Sequence, residues 1–342
     1  MDYYKGNLAS SDFAGVDHKM PFSFPYRQHA YSPFWQAPNS QANFCEEDYI
    51  ITPYIAEFMN TLTNLIYLFY AYHGIKNNAN RKDAILRNLP YLGIACVGIG
   101  SGVFHSTLKN YTQWGDDLSM LVATATVIHR VFTYDKSLNY TVIHGLTLFS
   151  AMTAFSIWHC VTDELFMHSV VFGVMIVIVR QKTRSVIKVR VTDPAVLKDV
   201  RLLAVFGAIF FASGFAIWNV DIMMCNTLTA WKRTIGLPWS FVLELHGWWH
   251  ILTGLGAYIF IALVEYLTSE EAGQPLGSRF AWPVGYLISS SGKSSSSKIN
   301  HKHAGINTNK AFEKVKGSSS VKHASGSNNV AGLFGVKDLK TA

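Results

Sequence analysis

Long apolar runs separated by short polar connections fill most of this 342-residue chain. About 20 apolar residues suffice to cross a bilayer as a helix. Seven runs approach that length, at about 55–75, 89–108, 117–134, 140–158, 163–180, 201–219 and 243–266. Some are short or interrupted by Gly and polar residues, and only a few residues around His159 and Asp163 part the fourth from the fifth. The pattern predicts an all-α membrane protein, a seven-transmembrane helix bundle occupying 55–268 as one domain. Residues 1–54 precede it as a polar, aromatic segment that ends in the acidic cluster CEEDY. Residues 269–342 follow as a tail. From about 287 the tail is so rich in Ser, Gly, Lys and Asn that it can bury no core and is expected to be disordered. The first ~40 residues carry no apolar core of a cleavable signal, so the first span is expected to act as the targeting segment.

Composition agrees with this reading. The chain is 49% hydrophobic and only 15% charged, against roughly a quarter charged in ordinary globular proteins. Its net charge of +7 would suit nucleic acid, but the distribution points elsewhere. Of the 29 Lys and Arg residues, seven lie between Arg180 and Arg201 and ten beyond the seventh span. Others cluster between Lys76 and Arg87 and at Arg130 and Lys136, whereas the alternate connections carry Lys109, none, and the pair Lys232 and Arg233. By the positive-inside rule the rich loops and the C-terminus face the cytosol, and the N-terminus faces the lumen or exterior. An odd number of spans makes these assignments agree. The basic balance is therefore a topology signal, and no nucleic-acid partner is implied. No phosphate-cradling GxxxxGK[ST] and no GxGxxG between strand and helix occurs, so no nucleotide is implied either.

Histidines interrupt the apolar runs where ionisable groups are costly and functional by default. His105 closes the second run in GIGSGVFHSTL, and His246 and His250 open the seventh in ELHGWWHILTGLGAY. The spacing of the latter pair, i and i+4, projects both rings from one helical face. Three neutral imidazoles with one open position make a catalytic zinc set. Ser101 lies one turn before His105, and Asp116 and Asp117 lie shortly after it. A metal beside a hydroxyl and a carboxylate suggests hydrolysis within a membrane. The predicted topology places His105, Asp116, His246 and His250 near one lumenal depth. Plainer readings stand beside each: an interfacial aromatic belt around Trp248 and Trp249, a Ser101 bond to the i−4 carbonyl, and helix capping by Asp116 and Asp117. His73, His129, His144, His159 and His168 are expected to bond backbone carbonyls. His301 and His303 read as part of a solvated basic tail.

Two further groups lie near the first span. Asn43, Glu46, Asp48 and Glu57 supply hard oxygen donors of the kind that suits calcium, although a solvated acidic collar fits the bare sequence equally. Cys45 and Cys225 are both placed on the lumenal side, where disulfides persist. As sequence alone, a bridge and two free thiols are equally open.

Four blocks together resemble the alkaline ceramidase family, within the wider superfamily of seven-span membrane hydrolases that includes the adiponectin receptors. They are FWQAPNSQANFCEEDY, ITPYIAEFMNTLTNLIY, GIGSGVFHSTLKNYTQWGDDLSML and LELHGWWHILTGLGAY, spread over roughly residues 31–266. The resemblance implies Zn2+ on His105, His246 and His250, with Ser101 and Asp116 as the catalytic polar pair. It implies a structural or regulatory Ca2+ held by Asn43, Glu46, Asp48 and Glu57 and by the backbone carbonyl of Phe44, and a Cys45–Cys225 disulfide. Asn43 stands where the family often has Asp, and Asp48 where it often has Asn, so the carboxylate count is unchanged. Phe44 replaces a frequent Trp. Asp117 replaces a frequent Glu and is given no role.

The implied activity is hydrolysis of the ceramide amide (phytoceramide and dihydroceramide included) to a sphingoid base and a fatty acid. The substrate would enter from membrane lipid, in the endoplasmic reticulum or the Golgi. Two other classes compete. One is a receptor of the adiponectin-receptor type with weak or no hydrolase activity, which predicts tolerance of Asp116→Ala. The other is a lipid-binding or transport protein with a structural zinc, which predicts a fourth protein ligand.

Overall fold

The protein is an all-α membrane protein. The computed structural model describes residues 20–286, apart from 80, 82, 278 and 279. Among the described residues the named α-helices are, in order, α1 (Phe58–Thr63), α2 (Leu65–Asn78), α3 (Ala84–Thr107), α4 (Asn110–Thr133), α5 (Leu138–Thr162), α6 (Leu165–Arg190), α7 (Pro194–Met223), α8 (Cys225–Ile235) and α9 (Leu245–Leu267). Of these, α3 and α4 pack together and α7 lies on α9. Among the described residues there is no strand, only an isolated bridge between Phe24 and Leu237.

Five of these helices, α3, α5, α6, α7 and α9, are long and apolar enough to cross a membrane. The other two apolar runs take different forms. The first is broken at Asn64 into α1 and α2. The third is the 24-residue α4, reaching ~36 Å at 1.5 Å per residue, enough for a bilayer core. It falls short in hydropathy because it begins at Asn110 rather than near 117, and Asn110, Thr112, Gln113, Asp116 and Asp117 occupy its first turns. Asp116 and Asp117 are thus inside a helix and do not cap one.

Local chemistry sets the helix limits. Ser137, Glu164 and Asp193 cap α5, α6 and α7 with their side-chain oxygens, and Pro194 takes the first position of α7, where no N–H is needed. Leu108 and Asp163 end α3 and α5 in the left-handed region, which lets the chain reverse at once into α4 and α6.

The core shows which helix is central. Tyr67, Tyr70 and Ala71 of α2, Tyr91 and Ile94 of α3, Val127 and Val131 of α4, and Tyr258 and Ile261 of α9 form one buried cluster. α9 buries most of its apolar stretch, whereas α5 and α6 bury very little of theirs. α5 and α6 both lie against α4. The helix α3 meets α4 closely: a Cβ on Gly100 would sit 2.9 Å from the Gly115 carbonyl oxygen.

Beyond 268, Ala281 and Val284 are buried against Leu203 and Ile259, so the chain is still packed on α7 and α9 at Val284. The expectation of disorder, and the His301–His303 segment, lie outside the described residues.

Candidate metal centre and its surroundings

His105 sits in the last turn of α3, and His246 and His250 in the first turns of α9. Their rings meet with centroids 4.9, 4.9 and 4.6 Å apart. One ligand atom from each lies within 4.8 Å of the others, and all three residues are buried. Among the described residues this is the one set of three His, Cys, Asp or Glu side chains so closely grouped. The helical face expected from the i, i+4 spacing is therefore turned inward, not towards an interfacial belt.

Each imidazole is held from behind. His105 Nδ1 lies 2.6 Å from Glu57 Oε2, and His250 Nδ1 lies 2.9 Å from Thr63 Oγ1. His246 is stacked on Phe44 with ring centroids 3.7 Å apart, and its backbone N–H donates to Asp221 Oδ1 at 3.3 Å. A carboxylate or hydroxyl behind a ligating imidazole fixes the tautomer and the ring orientation. In front, His105 Nε2 and His246 Nδ1 are buried without a hydrogen-bond partner. Buried polar atoms without partners are costly, and a cation at the centre of the three rings would satisfy them. The donor set fits a nitrogen-binding transition metal.

Ser101, also buried, hydrogen-bonds the Asp116 carboxylate. The helices α3 and α4 approach closely there, at Gly100 and Gly115. Asp116 is partly buried and feels the His105 ring beside it. Of the five histidines expected to bond backbone carbonyls, His129, His159 and His168 do so, with Thr141, Glu164 and Asp117. His73 instead pairs with the Tyr258 hydroxyl, and His144 Nδ1 has no partner.

The acidic segment lies directly against the histidines. Glu46 accepts from the N–H groups of Met59 (2.6 Å) and Asn60 (2.8 Å) and so caps α1. Glu57 accepts from the Phe44 N–H at 3.1 Å and from Asn60 Nδ2 at 3.0 Å, besides facing His105. Asn43 Nδ2 donates to Asp48 Oδ2 at 3.0 Å, while Asn43 Oδ1 is buried without a partner. Burial, with Glu244 and then Glu57 nearby, holds the Glu46 carboxyl well above the usual carboxylate range. Glu46 and Glu57 are thus buried, whereas Asn43 and Asp48 are half-buried.

Cys45 and Cys225 form a disulfide, joining the N-terminal segment to the start of α8. Around it lie groups that sequence reading passed over. Asp221 Oδ2 accepts from the Cys45 N–H at 3.2 Å. Lys232, buried in α8, donates to the Cys45 carbonyl at 3.0 Å and to Glu244 Oε2 at 2.8 Å. A single carboxylate at the end of an apolar run gave the only available signal for Asp221. Thr63 gave none.

Comparison with known proteins agrees with this picture. The ceramidase family model matches residues 36–290, reaching beyond the sequence blocks to the segment packed after α9. The chain is 31% identical to alkaline ceramidase YPC1 of Saccharomyces cerevisiae over 278 residues, covering 76% of this chain and 87% of the yeast protein. It is 32% identical to alkaline ceramidase 3 of Mus musculus over 240 residues, covering 68% and 85% of the two chains. An alkaline ceramidase of Arabidopsis thaliana is similar at 22% identity over 71% of this chain and 89% of its own length.

Proposed function

The chain belongs to the ceramidase family, and from that premise we propose that it hydrolyses the amide bond of a ceramide to a sphingoid base and a free fatty acid. The observation that carries the mechanism is the buried histidine triad with its unpartnered nitrogens, beside a carboxylate already hydrogen-bonded to a serine. His105, His246 and His250 would hold Zn2+, which supplies Lewis acidity and makes a water acidic enough to attack near neutral pH. Asp116 takes the proton of the attacking water and returns it to the leaving amine. Ser101 keeps Asp116 oriented in the resting state and turns its hydroxyl to the tetrahedral oxyanion, a contribution of a few kcal/mol when well aligned.

The second cation of this reading is Ca2+, held by Asn43, Glu46, Asp48, Glu57 and the Phe44 carbonyl. The orphaned Asn43 oxygen and the crowded, buried carboxylates support it. Ceramide enters sideways from the bilayer, since it scarcely exists free in water. The N-terminus faces the lumen of the endoplasmic reticulum or Golgi and the C-terminus faces the cytosol, with seven spans in all. Charge distribution supports that orientation.

The test is an assay of the purified protein with labelled ceramides, following fatty-acid release. Activity should vanish with a strong zinc chelator and in His246→Ala, and equal release by wild type and His246→Ala would overturn the zinc reading. Calcium removal at mildly alkaline pH should lower the rate, and readdition should restore it. The receptor reading would gain if Asp116→Ala left function intact. The transport reading asks for a fourth protein ligand, whereas the close group among the described residues holds three histidines.

A further inference from the structure

Asp117, adjacent to the proposed proton-transfer residue, is engaged on the opposite side of α4. Successive helical residues project about 100° apart, so Asp116 faces α3 while Asp117 faces α5 and α6. There His159 Nε2 lies 3.4 Å from Asp117 Oδ2, an ion-pair separation, and neither buried atom has a hydrogen-bond partner. His168 Nε2 donates to the Asp117 backbone carbonyl at 2.8 Å. Both imidazoles are buried. The His159 ring is fixed in turn, stacked on Phe155 and bonded through Nδ1 to the Glu164 carbonyl at 3.1 Å.

These contacts stand out against their setting. α5 and α6 bury the smallest shares of their apolar stretches among the five candidate spans of the described residues. Their polar anchors concentrate on the first two turns of α4, the turns that carry Asp116. Asp163, at the α5–α6 turn, accepts from Trp114 Nε1 at 2.7 Å and from Asn110 Nδ2 at 3.2 Å. A hairpin needing only a greasy seat would not spend two buried histidines on one residue.

We propose that Asp117, His159 and His168 form a clamp that positions Asp116 for proton transfer. His159 holds the Asp117 side chain, His168 holds its carbonyl, and together they fix the rotation of α4 that aims Asp116 at Ser101 and the histidine triad. The three are positioning residues and touch no reacting atom. The inference rests on Asp116 being the proton-transfer residue of the proposed hydrolysis. Misplacement of a reacting group by about 1 Å can cost as much as 10²-fold in rate, so a modest rotation of α4 is enough to register.

The two ring nitrogens of His159 allow the clamp to be separated from a simple turn-holding role. In His159→Gln the amide reaches the Nε2 position and keeps a polar contact with Asp117. In His159→Asn it reaches the Nδ1 position and keeps the bond to the Glu164 carbonyl. With ceramide as substrate and rates normalised to folded protein, His159→Asn should lower kcat about tenfold with KM nearly unchanged, and His159→Gln should retain most of kcat. Asp117→Asn, which preserves shape and folding, should lower kcat by a similar factor. The double variant Asp117→Asn with His159→Asn should be no worse than the poorer single one, as expected of residues acting in one unit. Wild-type kcat in Asp117→Asn, better activity in His159→Asn than in His159→Gln, or a loss confined to KM would overturn the clamp. Asp116→Asn separates the two levels. If it is inactive while Asp117→Asn is unimpaired, only the clamp fails; if it is fully active, the catalytic reading fails and the clamp with it.

Discussion

At the scale of single residues, Glu57 joins the two candidate cation sites. One of its oxygens faces His105 Nδ1 and Asn60, and the other receives the Phe44 N–H. Glu57→Gln keeps the shape but removes the charge that orients His105. Loss of such an orienting group costs about 10–100-fold in metal affinity, measurable by titrating the apoprotein with zinc. Lys232 gives a second expectation. It neutralises Glu244 in a buried pair, and breaking such a pair leaves an uncompensated charge. Lys232→Met should therefore destabilise the fold by about 3–5 kcal/mol, seen as a lowered Tm in detergent, with Glu244→Gln in the same chain recovering part of the loss. The three histidines and Ser101 stand out in the sequence because each is a polar group inside an apolar run, whereas Asp116, just before one, is singled out by the family resemblance. Thr63 and Asp221 do not stand out. A threonine and a lone carboxylate at the edge of a span look ordinary until the fold sets Thr63 against His250, 187 positions away, and Asp221 against both Cys45 and His246.

At the scale of elements, the contact of α3 with α4 governs the site. Gly100→Val should push the Gly115 backbone away and lower kcat by separating Ser101 from Asp116, while the triad, borne on α3 and α9, keeps its metal content. A rate loss that tracks metal loss would refute that division. The α5–α6 turn supplies a pH-dependent case. Burial works against ionisation of Asp163, but hydrogen bonds from Trp114, Gln41 and Asn110 prevail and hold its carboxyl below the usual range. A carboxyl with a depressed pKa in the folded state stabilises above its unfolded pKa, and that stability is lost as pH falls through the folded value. Asp163→Asn should thus lower Tm near neutral pH, and the difference from wild type should shrink as pH drops through the ordinary aspartate range. Periodicity located α3, α5, α6, α7 and α9 because lipid and core both demand apolar surface. It missed the break at Asn64, the early start of α4 and the short α8. In the first two the polar residues face the site or neighbouring helices rather than lipid, and α8 is amphipathic and too short to span.

On the scale of the whole molecule, the N-terminal segment is tied across the bundle by the Cys45–Cys225 bridge, Lys232 and Asp221. Replacing both cysteines with serine should cost about 2–5 kcal/mol, and reductant should lower the Tm of wild type but not of the variant. The candidate site draws on distant parts of the chain: His105 arrives with α3, and its two partners lie on α9, the last of the named helices. The order of synthesis therefore matters. A nascent chain that ends before Leu245 carries one of the three imidazoles, so on the proposed zinc reading it would hold no complete site and should release no fatty acid from ceramide.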